Sequence, residues 1–143
     1  MIVLLDAGPL GMISNPNASV ANQECYRWME SLVIQGTRVC VPEIADYEVR
    51  RELLRANKQQ GLARLNTLKN AVSYLPITTT IMLKAADLWA QVRRDGLPTA
   101  DPKALDCDVI LAAQALAVDG IVATENVGHL SRFVNAKSWR EIG

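Results

Sequence analysis

Short, unbroken apolar runs alternate along this chain with longer stretches whose apolar residues recur at helical spacing. The first run, Ile2-Val3-Leu4-Leu5, has no polar residue at alternate positions, the pattern of a strand covered on both faces. It predicts a central strand that stops at Asp6, a poor strand residue. Asn17 to Ser19 then supply cap residues for a helix reaching about Ile34, which Gly36 ends in the left-handed position. The stretch "TRVCVP" predicts a short strand, and "EIADYEVRRELLRAN" a helix whose Ile44, Tyr47 and Leu54 mark an apolar face. A further helix from about Leu62 to Asn70 leads to the strand "AVSYLPI". The segment "TTIMLKAADLWAQVRRDG" reads as a helix closed by Gly96, and "LPTADP" as a loop. A helix over "ALDCDVILAAQALAVDG", with small residues at Ala112, Ala113, Ala115 and Ala117, ends at Gly120 and feeds a last buried strand, "IVAT". The tail through Phe133 and Trp139 has room for one more short edge strand.

Strands alternating with helices predict a three-layer α/β/α sandwich with a mostly parallel central sheet. No linker or repeat divides the 143 residues, half of them apolar, so one domain over 1–143 is expected. The N-terminal apolar run is too short for a signal peptide or a membrane span, which predicts a cytoplasmic protein. Cys25, Cys40 and Cys107 lack CxxC spacing and have only His129 beside them in type, which argues against zinc and for reduced core thiols.

The net charge is zero, so overall charge does not mark a nucleic-acid binder, but its distribution is uneven. Residues 1–48 carry two Arg against six acids, a balance of −4, and residues 104–143 carry three bases against five acids, a balance of −2. Residues 49–103 hold ten Lys and Arg against four acids, a balance of +6. Such a segment is either a solvated helix face or a surface for a polyanion.

In right-handed β-α-β units the connecting helix starts on the edge where the strands end, so strand ends and helix beginnings share a rim. Asp6 ends the first strand, Glu48 sits in the opening turns of the helix after the second, and Asp106 and Asp108 fall in the first turn of the helix before the last strand. Thr124, Glu125 and Asn126 follow that last strand. Each has an ordinary explanation: Asp6 can open the turn Ala7-Gly8-Pro9, acids complement a helix dipole, and Thr124 and Asn126 form turns. Together they leave several carboxylates in one crevice, which costs repulsion unless a cation sits among them. Hard oxygen ligands without His or Cys suit Mg²⁺ or Mn²⁺. Asp106 and Asp108 lie about 200° apart on the helix, so only one points inward. Asp108 shares a face with Ala112 and Ala115, small residues that allow close approach to the sheet.

At these residues the chain resembles a PIN domain, the ribonuclease fold found in VapC-type toxins of bacterial toxin-antitoxin systems. The likeness spans nearly the whole chain and rests on "IVLLDAGPL", "PEIADYEVRREL", "LDCDVILAAQALAVDG" and "IVATENVGHLSRF" in that order. It implies metal-dependent cleavage of RNA phosphodiester bonds, with the family's acids falling on Asp6, Glu48 and Asp108 as metal ligands and catalytic residues. The fourth catalytic position falls on Asn126, where many relatives carry Asp, leaving Glu125 or Asp101 as candidates to complete the metal site. Arg50, Arg51, Arg55, Lys58 and Arg64 are expected to hold the RNA backbone beside the acids. The resemblance further implies a small antitoxin protein as partner and a homodimer, for which Trp28, Trp89 and the Leu-rich helices supply apolar surface. A single His excludes a histidine-pair ribonuclease mechanism. A phosphatase of the haloacid dehalogenase type also starts with a strand ending in Asp, but needs a second Asp where this chain has Gly8. The competing reading is a catalytically weak PIN-fold module that binds RNA or a protein without turnover.

Overall fold

The computed structural model describes residues 1–96 and 102–143. In chain order its elements are β1 (Ile2–Leu5), α1 (Ala7–Ser14), α2 (Val20–Ile34), β2 (Arg38–Pro42), α3 (Glu43–Arg55), α4 (Gln59–Ala71), β3 (Ser73–Leu75), α5 (Thr79–Asp95), α6 (Pro102–Val118), β4 (Ile121–Thr124), α7 (Val127–Leu130) and β5 (Ala136–Ser138), with a final 3₁₀ turn at Trp139–Glu141. The five strands form one sheet in the order β3-β2-β1-β4-β5, and every pairing is parallel.

Side chains leave the strands on alternate faces, and each apolar run buries both. Val3 and Leu5 of β1, Val39 and Val41 of β2 and Ala123 of β4 face a core shared with α1, α2 and α4. Leu4, Cys40 and Val122 face the other side, where Leu111 and Ala115 of α6 cover them. Helix α5 packs outside α6 through Ile81, Ala85, Leu88 and Val92 against Leu105, Val109, Ala112 and Ala113. Three layers result, as the alternation of elements predicts. Ala115 therefore meets the sheet, whereas Ala112 faces α5 instead. Gln114 of α6 is fully buried, accepting from the Ile44 N–H at 3.4 Å and donating to the Leu75 carbonyl at 2.8 Å, so one amide ties three elements together.

The structure corrects the sequence reading at further places, the apolar face of α3 among them, since Tyr47 and Leu54 are exposed. Ala7-Gly8-Pro9 is the first turn of α1 rather than a free turn: Asp6 caps the helix, its Oδ1 accepting from the Ala7 N–H at 2.7 Å, and Pro9 needs no partner so near a helix start. Helix α4 starts at Gln59, three residues before the expected position, and α7 was not anticipated. Helix α6 starts at Pro102, which puts Asp106 and Asp108 in its second turn, where a dipole explanation of these acids weakens. The expected loop over 97–102 falls outside the described residues except for Pro102. Gly36 and Gly96 do close α2 and α5 with positive φ, at 87° and 64°.

The turn from α6 into β4 lies directly against β1. A Cβ on Gly120 would collide with Leu4 Cδ1 and stand 3.3 Å from the Ile2 carbonyl oxygen. Gly120→Ala is therefore expected to cost about 1–3 kcal/mol by forcing the loop off the sheet, read as a lower midpoint in urea unfolding.

Candidate active site

The chain winds from β1 outward to β2 and β3, then returns to place β4 on the other side of β1. The carboxyl ends of β1 and β4 thus flank the point where strand order reverses, the usual crevice for ligands in open α/β sheets. Leu5 pairs with Ala123, and the Asp6 N–H continues the ladder to the Ala123 carbonyl at 3.0 Å, which sets Asp6 beside Thr124. The Thr124 hydroxyl, fully buried, donates to Asp6 Oδ2 at 2.7 Å and accepts from the Asn126 N–H at 2.8 Å. Both Asp6 oxygens are thereby fixed, one by Ala7 and one by Thr124. Burial pushes the Asp6 carboxyl above its ordinary pKa, against the opposing pull of these two hydrogen bonds.

Glu48 comes from the second turn of α3, and Asp108 from the second turn of α6. Burial, with the charges of Asp6 and Asp108, pushes Glu48 up to about 7, while Arg51 and the thiol of Cys107, which donates to its carboxylate, oppose the rise. Burial and the Asp6 charge push Asp108 up to about 6, with His129 and Arg132 opposing. Cys107, next to Asp108 in sequence, is itself pushed to about 11 by burial and the charge of Glu48. Asp106 is exposed and lines a shallow cleft with Met82 and Trp89, on the side of α6 that meets α5. Glu48 therefore feels the charges of Asp6 and Asp108, and Asp108 that of Asp6, at one edge of the sheet.

Among the described residues none of these three acids is in an ion pair. They feel one another's charge without being drawn to ligand distance: among the described residues, no group of three or more His, Cys, Asp or Glu stands close enough to hold a metal ion as the side chains lie. The donor set, three carboxylates that are in no ion pair among the described residues, fits a hard divalent cation.

The remaining predicted positions divide. Asn126 occupies the N-cap of α7, is exposed, and its side-chain nitrogen lies 3.2 Å from Nδ1 of His129, whose charge opposes the rise at Asp108. The Glu125 carboxylate turns away, accepting from Trp139 Nε1 at 2.6 Å and pairing with Arg140 at 3.5 Å. Asp101 lies outside the described residues. Arg51 and Lys58 line a groove with Glu48. Arg50 instead binds Asp46 at 2.9 Å and Asn66 at 2.8 Å. Arg64 donates to the Ile13 and Ser14 carbonyls at the end of α1, at 2.9 and 3.2 Å. Arg55 pairs with Glu52 at 2.9 Å, both exposed. Trp28 faces inward, its indole N–H donating to the Ile142 carbonyl at 2.7 Å and its ring 5.7 Å from that of Trp139, which leaves Trp89 as the tryptophan at the surface.

Thr124 and His129 carry more of the site than their types suggest. Thr124 reads as a turn former until the pairing of β1 with β4 is known, and His129 as an isolated residue until the fold lets its charge act on Asp108.

The family model described as PIN domain matches residues 4–133. No curated protein matches the chain at a significant level. Among solved structures, VapBC2 from Rickettsia felis bound to a DNA fragment from their promoter is similar with a TM-score of 0.78 at 16% identity, covering 97% of this chain and 99% of that one. VapBC-1 from nontypeable Haemophilus influenzae gives a TM-score of 0.73 at 19% identity, with 99% and 100% covered. VapC20 of Mycobacterium tuberculosis, a toxin cleaving the sarcin-ricin loop, gives 0.65 at 14% identity, with 92% and 96% covered.

Proposed function

This chain belongs to the PIN domain family, and we propose that it is a metal-dependent ribonuclease acting through Asp6, Glu48, Asp108 and Asn126. The observation that carries this reading is the gathering at the β1–β4 switch point of three carboxylates that are in no ion pair among the described residues, where burial first and the Asp6 charge second raise the pKa of both Glu48 and Asp108. Asp6, Glu48 and Asp108 would hold Mg²⁺ or Mn²⁺. A divalent cation there supplies a coordinated water of lowered pKa and neutralises charge on a phosphate oxygen. Asp6 is fixed at both oxygens and serves as the rigid member of the set. One of the acids accepts the proton of the attacking water. The Asn126 amide, held at its backbone by Thr124, positions water or phosphate without adding charge. Arg51 and Lys58 extend the site as contacts for the RNA backbone, with Arg50, Arg55 and Arg64 contributing positive potential from their fixed places.

The Rickettsia and Haemophilus neighbours are VapBC complexes, and the Mycobacterium neighbour is a toxin. We extend to this chain the corresponding role: a toxin formed by one PIN domain over 1–143, acting in the cytoplasm, held by a small antitoxin and paired with a second copy. Among the described residues no helix is long and apolar enough to cross a membrane.

Incubation of unstructured RNA with the protein and Mn²⁺ or Mg²⁺ tests the reading: cleavage that EDTA stops supports it, and binding without turnover supports the non-catalytic module. Thr124→Val tests the support of Asp6. It keeps shape but removes the donor to Asp6 Oδ2 and the acceptor for the Asn126 N–H. Cleavage is expected to slow by about 10- to 100-fold and stability to fall by about 1–2 kcal/mol, measured by kcat and by urea unfolding.

A further inference from the structure

We infer that Gln114 and Cys107 of α6 are positioning residues: they hold α3 in register on α6 and so fix where Glu48 stands relative to Asp108. The inference deepens the ribonuclease reading and rests on it.

Helix α3 begins without a cap of its own. Its N-cap residue is Pro42, which makes no side-chain cap hydrogen bond, whereas the side chains of Asp6, Ser19 and Thr78 cap α1, α2 and α5. The first turn of a helix leaves N–H groups without intrahelical partners, and one of these in α3 belongs to the buried Ile44. Gln114 supplies the acceptor from another helix, its Oε1 lying 3.4 Å from the Ile44 nitrogen. Its Nε2 meanwhile donates to the Leu75 carbonyl at 2.8 Å. Glu43, the first residue of α3, accepts from the Ile77 N–H at 2.7 Å. The exit of β3 is thus pinned to α6 at Leu75 and to α3 at Ile77, and the Gln114 amide joins all three.

An apolar side chain at this place would fill the space without the desolvation of an amide. Gln114 is fully buried, and its neighbours Leu111 and Ala115 pack on the sheet as ordinary core residues. A buried polar group with its partners in place specifies one arrangement of the elements it joins. Here those elements include the two helices that carry Glu48 and Asp108.

The second contact lies seven residues earlier on α6, where the Cys107 thiol donates to the Glu48 carboxylate. Seven residues bring Cys107 and Gln114 to within about 20° of each other around the helix, and Ile44 and Glu48 stand about one turn apart on α3. One face of α6 therefore touches α3 twice, once at its backbone and once at the Glu48 carboxylate. Asp108 follows Cys107 in sequence, so a shift of α3 along this face changes the spacing of the two acids directly. Partners that orient a ligand in this way govern how tightly the ligand set binds its ion.

The test uses the metal-free full chain and Mn²⁺ alone as the probe. Gln114→Met keeps length and volume but removes both bonds, and Val92→Ala serves as the control, opening a cavity in the α5–α6 core away from α3. Both are expected to melt below wild type. Calorimetry is expected to show Mn²⁺ binding weakened by about 10- to 100-fold in Gln114→Met and unchanged in Val92→Ala. Without metal, the NMR signals of the Glu48 and Asp108 carboxyl carbons are expected to shift in Gln114→Met and to stay in place in the control. Cys107→Ala is expected to weaken Mn²⁺ binding with little change in melting, and Cys107→Ser, whose hydroxyl can still donate to Glu48, to restore it. A structural role alone would lower the melting temperature and leave Mn²⁺ binding in place. If wild type binds Mn²⁺ and neither Gln114→Met nor Cys107→Ala binds it more weakly, the positioning role is refuted and the ribonuclease reading stands. If wild type neither binds Mn²⁺ nor cleaves RNA, the ribonuclease reading falls. Carboxyl signals that shift in Gln114→Met alone then uphold the positioning role, and signals that stay in place refute it. If Gln114→Met does not fold, equal Mn²⁺ binding by Cys107→Ala and Cys107→Ser refutes the role.

Discussion

Asp6→Asn is expected to abolish RNA cleavage, by about a thousandfold or more, while making the metal-free protein more stable. The two effects share one cause. Asp6 is buried and its carboxyl is already pushed above its ordinary pKa, so the folded state is penalised for carrying that charge at neutral pH. Asparagine keeps the shape, its Oδ1 can accept from the Ala7 N–H, and its Nδ2 can donate to the Thr124 oxygen where Asp6 now accepts at 2.7 Å. The penalty disappears and the cap remains. What goes is the charge that Glu48 and Asp108 both sense. A rise in melting temperature together with lost turnover separates chemistry from folding, because a merely structural aspartate would lower stability when replaced. Asp106→Asn, on the exposed side of the same helix, serves as the contrast and is expected to leave cleavage nearly intact.

The second large effect is a dependence of metal-free stability on pH. Glu48 rises from an ordinary 4.5 to about 7, and Asp108 from 3.8 to about 6. A carboxyl with a raised folded pKa binds more protons folded than unfolded, so stability falls as pH climbs. The loss begins near 4, where the unfolded carboxyls ionise, and is complete a little above 7, where Glu48 has ionised in the folded protein. Both groups keep some contact with water, which discounts the penalty for Glu48 to about 1–2 kcal/mol. Thermal melts should therefore show a midpoint several degrees lower at pH 8 than at pH 5. Glu48→Gln should remove part of that difference by raising the midpoint at pH 8 alone. Mn²⁺ should raise the wild-type midpoint at pH 8 in a concentration-dependent way, since an ion that binds only the folded state stabilises it by mass action. A wild-type midpoint that is flat from pH 5 to pH 8 would show that neither burial nor the neighbouring charges hold these carboxyls protonated in the folded protein.

Much of the fold was legible because its signals are local. Ile2-Val3-Leu4-Leu5 and Ile121-Val122-Ala123 announce strands buried on both faces, and both occupy the middle of the sheet. Helix α1 was not legible: Gly8, Pro9 and Gly11 outweigh any local helical preference, and the segment is held by the Asp6 cap and by burial of Leu10 and Ile13. Helical period alone says that Asp106 and Asp108 turn to opposite sides; the choice of Asp108 as the inward one comes from the small residues on its face, of which Ala115 meets the sheet and Ala112 meets α5. The bond from Thr124 to Asp6 joins residues 118 positions apart and depends on β4 pairing with β1, which no short-range pattern reveals. The basic segment shows the same limit. Charge alone groups Arg50 and Arg64 with Arg51 and Lys58, yet the first two serve Asp46, Asn66 and the end of α1 through contacts made only on folding.

The most direct measurement is the single-turnover rate of cleavage of an unstructured RNA across a Mn²⁺ titration, with wild type and Asp6→Asn side by side. The predicted result is a wild-type rate that rises with Mn²⁺ to saturation and vanishes in EDTA, with no cleavage by Asp6→Asn at any concentration. Cleavage by wild type that persists in EDTA, or an Asp6→Asn variant that cleaves with the wild-type dependence on Mn²⁺, would contradict the account.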